Sequence, residues 1–366
     1  MENKSKLVEI FPPGEFIQEE LDARGWLKSD FAEILGVDKK TVGEIVSGKR
    51  SITPEMAKLI GAAFGTGPNV WLNLDNEYQL QKTPRNDSRN AQVSRKAKLF
   101  GDYPVREMLK RGWLSKEPDT LESELARFFA RGDNLPYAAR KKEDDSKLPL
   151  QLAWLHRTYN IAKTMQVGAF SDIKFARAMN KLKEILIARD CIDEIPEILK
   201  DSGVRFIINQ SLPSSKIDGV CFWLDERSPV VALSLRWNRI DNFWFTLMHE
   251  LHHVRFGHAK ETALLDVGID ERNDNISAEE RQADEGATEF LVSQEELNRF
   301  IARVRPAFTP IQIKGFSTRI GVHPGIVLGQ LHHRGVIDYK YHRKMLVSVR
   351  ELITRTAMFD GWGMIA

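Results

Sequence analysis

Over the first eighty residues, apolar side chains recur at helical spacing in short runs, and a turn residue closes each run. Phe16, Ile17 and Leu21 mark one helical face that Gly25 ends; Phe31, Ala32, Ile34 and Leu35 mark a second that stops at Gly36. Val42, Ile45 and Val46 form a third, which follows Asp38, a good N-cap, and ends at Gly48. Thr53 and Pro54 open a fourth as N-cap and first helical residue, and Val70, Trp71, Leu72 and Leu74 form a fifth after Pro68. From Lys82 to about Ser94 the chain is polar and reads as a linker, and residues 95–185 read as largely helical with a charged break at 140–145. The pattern then changes. Residues 204–208, 219–224 and 230–235 are rich in β-branched and aromatic side chains between turn formers, which predicts strands. Helical spacing returns near Asn242 and dominates to the end. The reading is a multidomain chain: an all-α domain at 1–82, a linker and helical middle region at 83–185, and an α+β domain with a small sheet at 186–366.

A length of 366 residues fits two or three domains rather than one core. With 42% hydrophobic and 28% charged residues, neither a disordered nor a fibrous chain is compatible with the composition. No apolar run approaches the roughly 18 residues of a membrane span, and the polar N-terminus has no apolar signal region. Two cysteines, Cys191 and Cys221, cannot build a disulfide framework and fit a reducing cytoplasm. The 53 basic and 51 acidic residues nearly cancel, leaving +2, so nucleic-acid binding has to come from a local patch. A slight basic excess in residues 86–150 is a weak second candidate for such binding.

The second and third helical runs, joined by Gly36, Val37 and Asp38, have the form of a helix-turn-helix, in which the second helix enters the major groove of double-stranded DNA. Val37 is expected to plug the core at the turn. Lys39, Lys40, Thr41, Glu44 and Ser47 are expected to face solvent on the second helix, followed by Lys49 and Arg50, with Lys28 and Ser29 at the start of the first. These residue types suit phosphate oxygens and base edges. The alternative from the pattern alone is a five-helix bundle with a merely solvated charged face.

The run from Asn242 contains His249, Glu250 and His253 in the spacing H-E-x-x-H. On a helix, residues i and i+4 share a face, so both imidazoles can bind one Zn²⁺ while Glu250 sits beside the vacant coordination position. A metal there acidifies water, and Glu250 is placed to take its proton as general base and return it to a leaving amine. Continuation to a third histidine in the metzincin pattern fails, because positions 256 and 259 are Phe256 and Ala259; His258 reads as a helix-end or surface residue. Glu280 is the better third ligand, with Asp284 one turn on to accept a ring N–H from a ligating histidine. Glu279 competes for that role, and Ser277 with Glu280 also spells a capping box without any metal.

Two resemblances bear on these readings. Residues 29–37 and 41–53 look like the XRE/Cro-type helix-turn-helix, and Met56, Ala57, Lys58 and Leu59 with Trp71, Leu72, Asn73, Leu74 and Tyr78 resemble the HigA-type antitoxin and autorepressor branch. That likeness covers about 70 residues and implies a homodimer on an inverted-repeat operator. Phe245 to His253, then Glu280, Ala283, Asp284, Ala287 and Leu291, are similar to the ImmA/IrrE metallopeptidase family, a likeness that extends over about residues 195–336. It implies Glu280 as ligand and Asp284 at the family's Asn/Asp position. The chain departs from the family at Gly286, where an aromatic is usual, and at Val292 and Ser293, where Met-Pro is usual.

Peptidases of this design often hold substrate as an added strand on a sheet edge, and residues 230–235 are the candidate edge, with simple core pairing as the competing role. His323, His332, His333 and Tyr339 are candidate donors to a developing oxyanion. The expectation is a cytoplasmic transcriptional regulator carrying a zinc-dependent endopeptidase. It would cleave a partner repressor or toxin in a stress-response, mobile-element or toxin–antitoxin setting. The rival is an antitoxin-like autorepressor whose metal-site domain only binds a toxin or senses a ligand.

Overall fold

The helix punctuation read along the first eighty residues is that of the structure, a computed structural model describing residues 11–83, 87–115, 121–130, 137–139, 148–260, 263–267 and 277–366. Two units separate, Met1–Arg95 and Lys96–Ala366. The first holds α1 (Pro13–Arg24), α2 (Lys28–Leu35), α3 (Lys39–Val46), α4 (Pro54–Phe64) and α5 (Pro68–Lys82). Gly36 ends α2 in the left-handed region at φ 68°, a conformation that costs a residue without a side chain little. Asp38 then caps α3, accepting the Thr41 N–H at 2.6 Å, and Thr53 caps α4 by accepting the Met56 N–H at 3.3 Å. Ile17, Leu21, Phe31, Leu35, Val42, Ile45, Ile60 and Trp71 form one core, with Val37 packed against it at the turn. Helices α1 and α3 approach so closely that a Cβ on Gly14 would lie 1.9 Å from the Val46 carbonyl oxygen.

Among the described residues the remaining helices are α6 (Asp87–Asp102), α7 (Val105–Lys110), α8 (Leu121–Ala130), α9 (Leu148–Thr164), α10 (Asp172–Ile185), α11 (Ile195–Ser202), α12 (Ile240–Phe256), α13 (Ala278–Leu291), α14 (Gln294–Val304), α15 (Pro310–Ile320), α16 (Pro324–His333) and α17 (Arg350–Ile353). The strands β1 (Tyr137–Ala139), β2 (Arg205–Asn209), β3 (Ile217–Trp223), β4 (Pro229–Leu233), β5 (Ala263–Val267) and β6 (Met358–Asp360) form one mixed sheet in the order β1-β5-β3-β4-β2-β6. Strand β3 is antiparallel to both neighbours, β4 and β5, whereas β2 runs parallel to β4 and β6, and β1 parallel to β5.

Continuous apolar strands predict burial on both faces, and the sheet has a core on each. On one face Ile207, Phe222, Val230, Ala232 and Leu265 pack with Met108, Leu125, Trp154 and Leu155 of α7, α8 and α9. On the other, Phe206, Cys221, Val231 and Leu233 pack with Leu182, Leu199, Trp244, Leu247 and Leu251. The helical middle region is therefore not a separate body: its apolar faces cover a sheet face that would otherwise meet water. Trp154 Nε1 donates to the Asn209 carbonyl of β2 at 3.0 Å, and Trp113 Nε1 to Asp360 Oδ2 of β6 at 2.9 Å, which ties the two parts together. The polar stretch expected as a linker is helical from Asp87 onward; residues 84–86 and the charged break at 140–145 lie outside the described residues. The candidate edge at 230–235 is also corrected, because β4 lies between β3 and β2 with both sides paired.

Gly14→Ala should destabilise the N-terminal unit by about 1–3 kcal/mol, because the added methyl forces α1 and α3 apart. Urea unfolding followed by circular dichroism measures this, and unchanged stability would contradict the close approach.

Candidate metal centre

Helix α12 is buried on every side over most of its length, with Phe243, Trp244, Leu247, Met248 and Leu251 in the core. Polar side chains on such a helix have to be satisfied within the protein. His249, Glu250 and His253 are each 0% exposed, so nothing about their surroundings is incidental. Helix α13 packs along α12 and is capped by Ser277, whose hydroxyl accepts the Glu280 N–H at 3.2 Å. That cap fixes the first turn and turns the Glu280 carboxylate inward, where it is buried, while Glu279 is exposed. The choice between the two acidic neighbours is thus made by which face of α13 meets α12.

His249 Nε2 lies 2.9 Å from His253 Nε2 and 3.3 Å from Glu280 Oε2, and His253 Nε2 lies 3.6 Å from Glu280 Oε1. These ligand atoms all fall within 4.8 Å of one another. Their separations bracket the roughly 3.3 Å edge of a tetrahedron with metal bonds of about 2.0–2.1 Å. The donor set of two imidazoles and a carboxylate is one that a divalent cation such as Zn²⁺ accepts. Asp284 Oδ1 stands 2.9 Å from His249 Nδ1, where it favours the tautomer that leaves Nε2 free as a ligand. His253 has a comparable partner in His258, with the two Nδ1 atoms 3.1 Å apart. His258 stands at the end of α12, as expected, and is half-buried there, with Trp223 Nε1 donating to its carbonyl at 3.0 Å.

The electrostatics follow from this crowding. Burial opposes protonation of His249, but the carboxylates of Asp266, Asp284 and Glu280 outweigh it and hold the imidazole well above its usual range. His253 is pushed down to about 3, by burial first and by the charge on His249 second. Burial, and then the neighbouring Asp266 carboxylate, push Glu250 well above the ordinary range. A cluster of this kind, with several buried carboxylates around two imidazoles, is the environment that a divalent cation neutralises.

Asp266 and Gly219 are absent from the sequence reading, and Gly286 enters it only as a departure from the family pattern. Asp266 of β5 is 1% exposed and places Oδ2 2.9 Å from His249 Nε2. Gly219 of β3 lies under Glu250, where a Cβ would come within 2.2 Å of Glu250 Oε1. Gly286 of α13 makes room for His252: a Cβ there would meet His252 Cδ2 at 2.4 Å. The departure from the usual aromatic at 286 is therefore complemented on α12, and His252 turns its Nδ1 to the Met248 carbonyl at 2.7 Å. The signal for Asp266 was an acidic residue inside an otherwise apolar five-residue run.

Of the four candidate oxyanion donors, His323 and His332 have partners outside the metal centre. His323 Nδ1 accepts the Gly325 N–H at 3.0 Å and caps α16, and His332 Nε2 lies 3.1 Å from the Tyr341 carbonyl. His333 and Tyr339 line a cavity with Arg239, Phe245 and Gln330.

On the helix-turn-helix, Lys28, Lys39, Lys40, Ser47, Lys49 and Arg50 are exposed, and Ser29 and Glu44 half-buried. Thr41 is corrected: it is buried, with its hydroxyl donating to Asp38 Oδ2 at 3.1 Å and accepting from Arg50 Nη1 at 3.3 Å. As the third residue of a capped helix it faces inward to the cap. Arg50 is also drawn towards Glu44, with Nη1 3.8 Å from Oε2.

Comparison with known proteins divides along the same line. A helix-turn-helix family model matches residues 17–71, and the Peptidase U49 family model matches residues 241–317. The chain is 34% identical over 73 residues to the HTH-type transcriptional regulator YddM of Escherichia coli, 20% of this chain and 78% of that one. It is 41% identical over 68 residues to an HTH-type transcriptional regulator of Haemophilus influenzae, 18% of this chain and 64% of that one. Among solved structures, Pseudomonas aeruginosa antitoxin HigA with the higBA promoter is 30% identical, over 23% of this chain and 91% of that one, with a TM-score of 0.21. Among the described residues no helix is long and apolar enough to cross a membrane. The chain belongs to the helix-turn-helix family of DNA-binding transcriptional regulators and carries a Peptidase U49, ImmA/IrrE-like domain behind its DNA reader.

Proposed function

We propose that the protein is a cytoplasmic, homodimeric transcriptional regulator whose C-terminal domain is a zinc-dependent endopeptidase. Its substrate is a partner protein, a repressor or a toxin, in a stress-response, mobile-element or toxin–antitoxin setting. The observation that carries the reading is the buried set His249, His253 and Glu280, with Glu250 alongside. Zn²⁺ in that set would supply a Lewis acid that polarises the scissile carbonyl and acidifies water. Glu250 takes the proton of the attacking water and passes it to the leaving amine. Gly219 supports that role by leaving space for the Glu250 carboxylate, and Asp284 and His258 hold the two imidazoles from behind. The reader would use Lys39, Lys40, Lys49 and Arg50 on the phosphates of an inverted-repeat operator, with Lys28, Ser29, Glu44 and Ser47 beside the groove.

Mixed with the products of its neighbouring genes, the protein should cleave one of them, and a chelator should stop the reaction. Glu250→Gln should keep zinc uptake and operator binding while losing cleavage; a fully active variant would remove Glu250 from the role of base. Gly219→Ala should displace the Glu250 carboxylate and lower the cleavage rate about 100-fold or more with zinc uptake unchanged. Wild-type rates in that variant would mean that the placement of Glu250 is not limiting. In gel shifts across a salt series, alanine at Lys39, Lys40, Lys49 or Arg50 should flatten the dependence of log affinity on log salt by roughly 0.9 for each phosphate no longer neutralised. An unchanged slope in all four would assign DNA binding to another surface.

A further inference from the structure

Strand β5 occupies a particular place. It is antiparallel to β3, with Leu264 opposite Cys221, Leu265 opposite Val220 and Asp266 opposite Gly219. Directly opposed residues of antiparallel strands project to the same face, and neighbours along a strand to opposite faces. Ala263 and Leu265 pack into the core on the far face of the sheet, so Asp266 is sent towards α12. It arrives above Gly219, the residue whose missing side chain makes room for Glu250. Its carboxylate therefore enters the metal centre from the Glu250 side, reaching 2.9 Å from His249 Nε2. That is the side from which water and a scissile carbonyl have to come.

The sheet order adds a second constraint. One side of β3 is paired with β4 and the other with β5. A peptide held by strand addition beside Glu250 would need the side of β3 that β5 fills. We infer that β5 is an internal pseudosubstrate: it lies in the antiparallel register that an extended peptide takes on β3, and Asp266 closes the open side of the His249, His253 and Glu280 set. The inference rests on the endopeptidase reading above. It makes the substrate an extended, unfolded stretch of polypeptide that replaces β5 on β3, and it makes cleavage conditional on that exchange. A carboxylate serving only to orient Glu250 would not need to be carried on a strand that takes the substrate's place.

The test uses the full-length protein loaded with Co²⁺ in place of Zn²⁺, with acetohydroxamate as a probe that needs the open side and changes the Co²⁺ absorption. Asp266→Ala should bind the probe roughly tenfold or more tightly than the parent, because the fraction of open sites sets the apparent affinity. Asp266→Asn, which keeps the side-chain volume, should move in the same direction and guards against a misfolded alanine variant. Cleavage of a reduced, carboxymethylated polypeptide should rise in parallel. Unchanged probe affinity in both variants overturns the inference. So does loss of cleavage in both, which would make Asp266 a positioning residue for Glu250. If neither parent nor variants take up Co²⁺, the endopeptidase reading itself fails and the inference falls with it.

Discussion

The C-terminal unit depends on one interaction, the packing of α12 against α13, which buries two imidazoles among carboxylates. His249 meets Glu280, Asp284 and Asp266, each within 3.3 Å, in a place with no solvent to screen them. Charges taken out of water in this way are costly unless they are paired well, and removing one partner leaves the others uncompensated. The surrounding architecture serves this arrangement. The sheet supplies a flat apolar face for α12, Gly219 gives the Glu250 carboxylate a hollow, and Gly286 lets α13 come close over the His252 ring. Glycine is required at 219 and 286 by crowding, not by backbone conformation.

The same logic of local closure governs the N-terminal unit at smaller scale. Its helices are short, and isolated helices of about eight residues are unstable in water. They persist because each end is specified: Gly36 ends α2, Asp38 caps α3, and Phe31, Val42 and Ile45 turn their apolar faces to one core. What this leaves outside is a basic rim of Lys28, Lys39, Lys40, Lys49 and Arg50 on a chain whose overall charge is nearly neutral. Any attraction to DNA is therefore local, and a chain of this composition does not coat nucleic acid at random.

Elements with strong local signals were legible in the sequence. Turn glycines, N-caps and 3.6-residue spacing located α1 to α5, and i, i+4 spacing put His249 and His253 on one face of α12. Spacing alone left Glu279 in competition with Glu280, and the resemblance favoured Glu280; in the structure Glu280 is buried against α12 and Glu279 is exposed. Strands β1 and β6 have three residues each, too few to show a period, and β5 has five with an acidic residue among them. Sheet order is a long-range property, so neither the full pairing of β4 nor the blocked side of β3 could be read from composition. The middle region read as a linker and helices with no stated partner, because helical periodicity does not reveal which surface a helix covers. Thr41 was misplaced for a related reason: a polar residue near a helix start serves the cap as readily as the solvent.

The proposed chemistry of the C-terminal unit rests on a single cation that His249 and His253 of α12 and Glu280 of α13 would hold. The most direct measurement is a crystal structure of the zinc-loaded protein with anomalous scattering recorded at the zinc edge. One strong peak is expected within about 2.0–2.2 Å of His249 Nε2, His253 Nε2 and a Glu280 oxygen. A peak elsewhere, or a filled site with the Glu280 side chain turned away from both rings, would contradict this ligand set.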